Sequence, residues 1–208
     1  MALKFPHYQS SFIKDVQTIS RNDSSIDGKE KHSQLWHDFQ SGSESAYASI
    51  YKNNVALLYN YGLKLVNDKN LIKDCIQDLF VEIWNTKHKL GDVKSIKSYL
   101  YKSLRRKLIS ESIKNRKTTD ISLLSDSDAE ENPSFEHSLI EKQQFNQQRK
   151  KLRESIKKLT DRQKEIIHLK YYAHLSYEEI SEVMSLSKKS TYKLMGRTIQ
   201  FLRKNLNN

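Results

Sequence analysis

Apolar residues recur along most of the chain at spacings of three and four, which predicts α-helices. The clearest stripe lies between residues 68 and 86, where apolar residues come in doublets every fourth residue. It consists of Leu71, Ile72, Cys75, Ile76, Leu79, Phe80, Ile83 and Trp84. Asn67 or Asp68 can cap this helix, which we expect to end near Thr86. The stripe predicts a helix face that is buried in a domain core.

Three further helices are predicted around this one. A short helix is indicated by Leu35, Trp36 and Phe39. The next has an apolar side made of Ala46, Tyr47, Ile50, Tyr51, Val55, Leu58, Tyr61 and Leu65. A helix after residue 86 begins at Ser95 and places Ile96, Leu100, Leu104 and Leu108 inward. We interpret these four helices as one small N-terminal domain.

A second group of helices is predicted near the C-terminus. The first is lined by Leu152, Ile156 and Leu159. Two capping boxes follow, at 160–163 and 176–179, and each marks the start of a helix. Their apolar residues are Ile166, Ile167, Leu169 and Tyr171 in one, and Ile180, Val183 and Met184 in the other. Ser187 caps a final helix that runs to about Asn205, with Met195, Ile199 and Leu202 inward.

The composition supports an all-α fold of two small helical domains. Only 5 Gly and 2 Pro occur among 208 residues, so the many tight turns of a hairpin-rich sheet are improbable. The single Cys75 excludes an internal disulfide, and no residues have metal-ligand spacing. The chain has neither a membrane-length apolar run nor the apolar core of a signal peptide, which predicts a cytoplasmic protein.

The charge is divided into two basic blocks and one acidic stretch. The chain has 36 Lys and Arg against 25 Asp and Glu, a net charge of +11 that favours a polyanion as partner. Basic residues dominate 87–117 and 149–208, whereas 118–141 holds seven acids and no Lys or Arg. We therefore predict a flexible tail over 1–32, a domain over 33–117, an acidic linker over 118–144 and a second domain over 145–208.

The helix over residues 68–86 has an acidic strip opposite its apolar side. The strip is formed by Asp74, Gln77, Asp78 and Glu82. It is conspicuous in a protein this basic, and it would repel DNA. It predicts either a docking surface for a basic protein partner or a solvated face with nothing bound.

The helix that begins at Ser95 combines cations with an aromatic ring. Lys102, Arg105 and Arg106 lie across from its apolar side, with Tyr99 at the margin. Single-stranded nucleic acid is bound by such a combination, since cations contact phosphates and a ring stacks on an unpaired base. An ordinary basic surface helix has the same pattern, so both interpretations remain open.

The last two helices fit a helix-turn-helix, in which the second helix lies in the major groove of DNA. A three-residue turn, Ser185 to Ser187, joins the short helix to the longer basic one, and Ser185 stands where glycine is usual. The leading end of the second helix carries Ser187, Lys188, Lys189, Ser190, Tyr192 and Lys193. An ordinary helical hairpin is the alternative.

Three stretches resemble the bacterial sigma-70 family. Residues 74–84, DCIQDLFVEIW, resemble the polymerase-docking helix of region 2. Residues 159–165, LTDRQKE, and 175–182, LSYEEISE, resemble region 4. Both regions in this order, separated by an acidic linker with no region 3, are similar to the extracytoplasmic-function (ECF) group. The resemblance implies an alternative sigma factor that binds core RNA polymerase and directs promoter recognition, DNA melting and transcription initiation.

The resemblance also implies roles for particular residues and partners. Asp74, Gln77, Asp78, Glu82 and Trp84 would contact the coiled coil of the polymerase beta-prime subunit, and the beta flap would be a second contact. The helix with Tyr99, Lys102, Arg105 and Arg106 would bind the minus-ten element. The last helix, including Arg197, would read the minus-thirty-five element. An anti-sigma factor is a further implied partner, and neither a cofactor nor a catalytic group is implied.

The chain departs from the family pattern at three positions. Arg106 stands where the family often has Asn and Ser110 where it often has Asp, which changes the expectation for minus-ten recognition. Gly196 lies in the recognition helix, where a larger side chain is usual. Two other interpretations fit part of the chain: a stand-alone helix-turn-helix regulator, which leaves the acidic strip without a role, and a helical adaptor whose basic faces bind acidic protein or RNA.

Overall fold

The computed structural model describes residues 26–116 and 139–206, and the regular elements in these ranges are helices. The α-helices are α1 Ile26–Gln40, α2 Glu44–Leu65, α3 Lys69–Thr86, α4 Ile96–Arg116, α5 Leu139–Lys157, α6 Asp161–Ile167, α7 Tyr177–Val183 and α8 Lys188–Leu206. A 3₁₀ turn, 87–89, follows α3, and a π-helical turn, 168–172, follows α6. The predicted all-α fold is confirmed. Most of the predicted tail and acidic linker lies outside the described residues.

The predicted capping residues position several helix starts. One carboxylate oxygen of Asp68 accepts the backbone N–H of Asn70 at 2.9 Å and of Leu71 at 3.0 Å, so Asp68 caps α3. Ser176 and Glu179 form the reciprocal capping box of α7, with hydrogen bonds of 3.2 and 2.8 Å. These contacts satisfy N–H groups that the first turn of a helix leaves unpaired.

Helices α1 to α4 form a bundle around an aromatic and aliphatic core. Its fully buried side chains include Trp36, Phe39, Ile50, Leu58, Tyr61, Ile72, Leu79, Phe80, Ile83, Leu100, Tyr101 and Leu104. Gly62 lets α2 approach α3 closely, since a Cβ atom there would lie 2.6 Å from Cγ2 of the buried Ile72. The bundle leaves the acidic side of α3 exposed to solvent.

Helices α5 to α8 form the second unit, and the turn between α7 and α8 has a left-handed residue. Ser185 has φ 53°, the conformation for which glycine is usually selected. Ser187 follows it, and its hydroxyl oxygen accepts the backbone N–H of Ser190 at 3.1 Å, which caps α8. The turn therefore has the geometry of a helix-turn-helix with serine at the glycine position.

Three apolar residues lie closer to solvent than the sequence pattern predicts. Tyr171 is 54% exposed, because the π-helical turn after α6 shifts the angular position of the residues that follow. Leu152 is 38% exposed, because α5 is exposed throughout 150–154 and packs into the core only from Ser155. Tyr51 is 39% exposed, although its ring lies 4.8 Å from that of Phe80.

The two units pack on each other chiefly along two helix pairs. Helix α7 lies against α4, and α6 lies against α2. Within residues 26–116 and 139–206, no helix has both the length and the apolar character that crossing a bilayer requires.

Candidate protein and nucleic-acid interfaces

The acidic strip of α3 is presented to solvent. Asp74, Gln77 and Asp78 are all exposed, on the side of the helix opposite its buried apolar residues. Glu82 is also exposed, but its carboxylate lies 2.7 Å from Nζ of Lys107 on α4. We call the first three residues the docking strip, since Glu82 is already held by a partner within the bundle.

Trp84, predicted to act with the strip, is half-buried among other rings. Its ring centroid lies 4.9 Å from that of Tyr47 and 6.4 Å from that of Phe39. Lys87 places its ammonium 4.1 Å from the centroid of the Trp84 ring, a cation–π contact. The structure thus places Trp84 at the edge of the core, against rings of α1 and α2.

The predicted DNA-binding residues of α4 lie in three different environments. Lys102 and Arg106 are exposed and lie one turn apart on one side, which we call the α4 strip. Tyr99 is half-buried, with its ring centroid 5.5 Å from that of Trp36, and burial raises its pKa. Arg105 points to the second unit, where its Nε lies 2.7 Å from a carboxylate oxygen of Glu165.

Helix α8 exposes three cations at intervals of four residues. Lys189, Lys193 and Arg197 are exposed, and this spacing aligns them on one side of the helix, which we call the α8 strip. Lys188 is instead paired with Glu178 of α7 at 2.8 Å. Tyr192 is 58% exposed, and its ring lies 4.4 Å from that of Tyr177.

The serines at the leading end of α8 are bonded to each other. The Ser187 hydroxyl lies 2.9 Å from that of Ser190, and both residues are exposed. Both serines lie at the end of α8 from which the α8 strip begins.

A buried polar contact between the units was not predicted from the sequence. Glu165 of α6 is 3% exposed, and one of its carboxylate oxygens accepts hydrogen bonds from the hydroxyl of Tyr61 and from Nε of Arg105, both at 2.7 Å. One signal was available: Glu165 precedes the buried Leu169 by four residues and so lies on the buried side of its helix.

His168 lies beside this contact in a column of aromatic rings. Its ring is stacked on those of Tyr61 and Tyr172, at centroid distances of 5.7 and 5.4 Å. Burial, together with the charges of Lys64 and Lys97, lowers the pKa of His168 to about 4. The imidazole is therefore neutral near pH 7, in keeping with its position between cations.

Comparison with known proteins identifies the class to which this architecture belongs. Residues 50–118 match the family model of sigma-70 region 2, and residues 149–202 match that of sigma-70 region 4. The two matches together span more than half of the chain. The chain belongs to the sigma-70 family, as the resemblance of its two regions predicts. It is an alternative sigma factor, a class that binds core RNA polymerase and directs it to promoter DNA.

Solved structures of similar fold include two protein complexes. One is CnrH in complex with the cytosolic domain of CnrY, with a TM-score of 0.56 and 16% identity, covering 85% of this chain and 97% of that one. The other is the sigma factor RpoE in complex with the anti-sigma factor NepR from Bartonella quintana, with a TM-score of 0.52 and 14% identity, covering 88% and 98%. No curated protein matches the sequence.

Gly196 provides a test of the recognition helix. A Cβ atom there would meet nothing within 4 Å, so alanine fits without a clash. Because glycine in a helix interior costs about 1 kcal/mol against alanine, Gly196→Ala should raise the unfolding free energy by up to that amount in urea titration. Gly62→Ala is the matched control, since its Cβ would clash with Ile72 and should lower stability. A Gly196→Ala variant that is no more stable would contradict a well-formed helix at this point.

Proposed function

We propose that three separate surfaces carry out the initiation functions of this sigma factor. The docking strip binds core polymerase, the α4 strip binds the minus-ten element, and the α8 strip reads the minus-thirty-five element. The observation that supports this division most strongly is the segregation of charge. The acids Asp74 and Asp78 lie exposed on α3, whereas the cations of the two basic strips lie on α4 and α8.

The docking strip suits a basic protein surface. Asp74 and Asp78 lie one turn apart with Gln77 between them, so two carboxylates and an amide face the same direction. We assign this strip to the coiled coil of the beta-prime subunit, with the second unit contacting the beta flap. Glu82 adds negative charge beside the docking strip, but its carboxylate is paired with Lys107 and so stabilises the packing of α3 against α4.

The two basic strips suit different forms of DNA. The exposed cations Lys102 and Arg106 lie one turn apart on a regular helix, and this arrangement suits the phosphates of an opened strand. The ring of Tyr99 lies nearby and is half-buried. The α8 strip starts from a capped helix end in a helix-turn-helix, so it suits the major groove of duplex DNA. The predicted domains, 33–117 and 145–208, would then act on separate promoter elements.

An anti-sigma factor is included in the proposal. The two solved structures described above are complexes, one with the anti-sigma factor NepR and one with the cytosolic domain of CnrY. A stand-alone helix-turn-helix regulator is not favoured, because it accounts for the region 4 match and leaves the region 2 match without a role.

Site-directed crosslinking within the reconstituted holoenzyme tests the three assignments together. Single cysteines carrying a photocrosslinker would replace exposed neighbours of the strips: Lys73 on α3, Ile109 on α4 and Gln200 on α8. Cys75 is first replaced by alanine to give a single reactive thiol. We expect crosslinks to beta-prime, to the nontemplate strand near minus ten and to upstream duplex DNA, respectively. A crosslink from position 73 to DNA would contradict the proposal.

The α8 strip gives a sharper prediction about base reading. Lys193 lies nearer the capped end than Arg197, so we assign Lys193 to base edges and Arg197 to a phosphate. Arg197→Ala should weaken binding to all promoters alike and lower the salt slope by about one unit. Lys193→Ala should alter the preferred minus-thirty-five sequence in a selection from random DNA, since a good base contact discriminates by about 1 to 3 kcal/mol. If Lys193→Ala selects the wild-type sequence, this lysine contacts only phosphate and the orientation assigned to α8 is wrong.

A further inference from the structure

A column of four aromatic rings runs from the bundle core to the surface. Its buried end is Tyr101, whose ring centroid lies 4.8 Å from that of Tyr61. The ring of His168 comes next, 5.7 Å from that of Tyr61, and the ring of Tyr172 ends the column 5.4 Å from His168. The angle between neighbouring ring planes falls from 38° to 26° and then to 10° towards the surface. The last two rings are therefore nearly parallel.

The ring of Tyr172 leaves the outer end of this column open to solvent. Tyr172 is 64% exposed, although one face of its ring is stacked on His168. The π-helical turn sets this position, since the backbone N–H of Ala173 donates to the carbonyl oxygen of His168, five residues earlier, at 3.0 Å. Such turns are rare and occur frequently at functional sites. A ring that is held flat with one face free can stack on another planar group.

Two lysines of the first unit lie beside the same column. Lys64 follows Tyr61 by three residues on α2, and Lys97 precedes Tyr101 by four residues on α4, so each shares a helix side with a ring of the column. Burial lowers the pKa of His168, and the charges of Lys64 and Lys97 lower it further, in agreement with this placement. Lys64 is exposed, whereas Lys97 is partly buried. Lys64 is therefore the cation that a ligand can reach.

A free ring beside exposed positive charge suits one class of ligand. Nucleobases stack on aromatic side chains whatever their identity, because every base has a π face, and cations bind the phosphate that accompanies the base. An acidic peptide would pair with the lysines but would leave the ring without a planar partner. Duplex DNA keeps its bases stacked on each other. The arrangement therefore favours an unpaired nucleotide.

We propose that Tyr172 and Lys64 form a binding site for an unpaired nucleotide, in which the base stacks on the open face of Tyr172 and Lys64 binds a phosphate. Lys97 adds positive charge behind the site. The ligand presents one base and one phosphate, as a free nucleoside phosphate or as a residue of a single strand. The site shares no residue with the docking strip, the α4 strip or the α8 strip, so it does not rest on the proposed function.

Titration of the full chain with adenine nucleotides tests the site. The probes are ATP and a short single strand of deoxyadenosines, which present the same base, and tripolyphosphate is the competitor that has charge but no base. The protein carries Lys102→Gln and Arg106→Gln, which remove the cations of the α4 strip. Saturation-transfer NMR on the adenine protons gives the dissociation constants. Tyr172→Ala should raise the dissociation constant about tenfold, since a lost stack between a base and a ring weakens binding by such factors.

Matched variants distinguish the column from exposed rings and lysines in general. Tyr171→Ala removes a ring of similar exposure that lies outside the column, and it should leave the dissociation constant unchanged. Tyr172→Trp keeps a flat ring and should bind at least as tightly as the wild type. Lys64→Gln should weaken binding and reduce its salt dependence, whereas Lys52→Gln, at another exposed lysine of α2, should do neither.

The outcomes identify the source of the nucleotide or exclude the site. Binding of ATP that requires Tyr172 would show a site for a free nucleoside phosphate, and the same requirement with the single strand alone would show a site for a strand residue. The proposal is wrong if neither probe binds, if Tyr172→Ala leaves both dissociation constants unchanged, or if Tyr171→Ala weakens binding equally. It is also wrong if tripolyphosphate binds as tightly as ATP. None of these results changes the assignment of the three strips.

Discussion

Core RNA polymerase should no longer bind this chain once Asp74 and Asp78 are both replaced by lysine. The double change reverses the charge of the docking strip and places two cations against a basic partner surface. Both residues are exposed on α3, and exposed substitutions usually change stability by about 0.5 kcal/mol or less. Helicity and melting temperature should therefore remain near those of the wild type, while binding in a pull-down with core polymerase is lost.

A matched variant tests whether polymerase binding requires this strip in particular or only the total negative charge of the unit. Glu44→Lys with Asp92→Lys makes the same change in net charge at two other exposed acids of the same unit. It should assemble with polymerase as the wild type does. If the Asp74 and Asp78 variant forms holoenzyme at wild-type affinity, or if both double variants fail equally, the docking assignment is wrong.

The unfolding free energy should fall as the pH is lowered from about 6.5 towards 4, because of His168. Its pKa is lowered to about 4 in the folded chain, so in this range the unfolded chain binds a proton that the folded chain does not. The slope should approach about 1.4 kcal/mol per pH unit, with a total loss of about 3 kcal/mol by pH 4. Above pH 6.5 both states are neutral, and the contribution disappears. Urea titrations across this range measure the effect.

The groups that face His168 indicate a suitable control. Tyr61 and Lys64 approach from α2, Lys97 from α4, and Tyr172 from its own π-helical turn. His168→Phe keeps an aromatic ring between the two tyrosines and removes the titration. Subtracting its pH profile from that of the wild type should isolate the slope. Identical slopes in both proteins would contradict the assignment to His168.

The sequence was sufficient for the features that depend on near neighbours. Asp68, Ser176 and Ser187 cap helices as predicted, since a cap needs only a side chain within three residues of the N–H groups that it satisfies. Ser185 adopts the left-handed conformation at the position expected for glycine. These local signals determine where α3, α7 and α8 begin, and hence which side of each helix faces solvent.

Features that depend on distant residues could not be predicted in the same way. The sequence pattern predicts that Arg105 binds DNA, since it lies on a basic helix side, yet in the structure its guanidinium is bound to Glu165, 60 residues away. No local pattern indicates that pairing. Helical periodicity, which assumes a constant turn, predicts that Tyr171 is buried. The π-helical turn interrupts that periodicity, so Tyr171 is exposed instead.

Transcription from a promoter with purified core polymerase is the most direct test of the account. The template is a promoter sequence selected from random DNA by the mixture of core enzyme and this chain. It is incubated with core enzyme alone, with this chain alone and with both, and transcripts that begin at a defined position are measured. Specific transcripts should appear only when both proteins are present, and none should appear with the Asp74→Lys, Asp78→Lys variant. If the chain binds the template equally well without polymerase, and its addition to core enzyme yields no specific transcript, the account is contradicted and a stand-alone DNA-binding regulator is favoured.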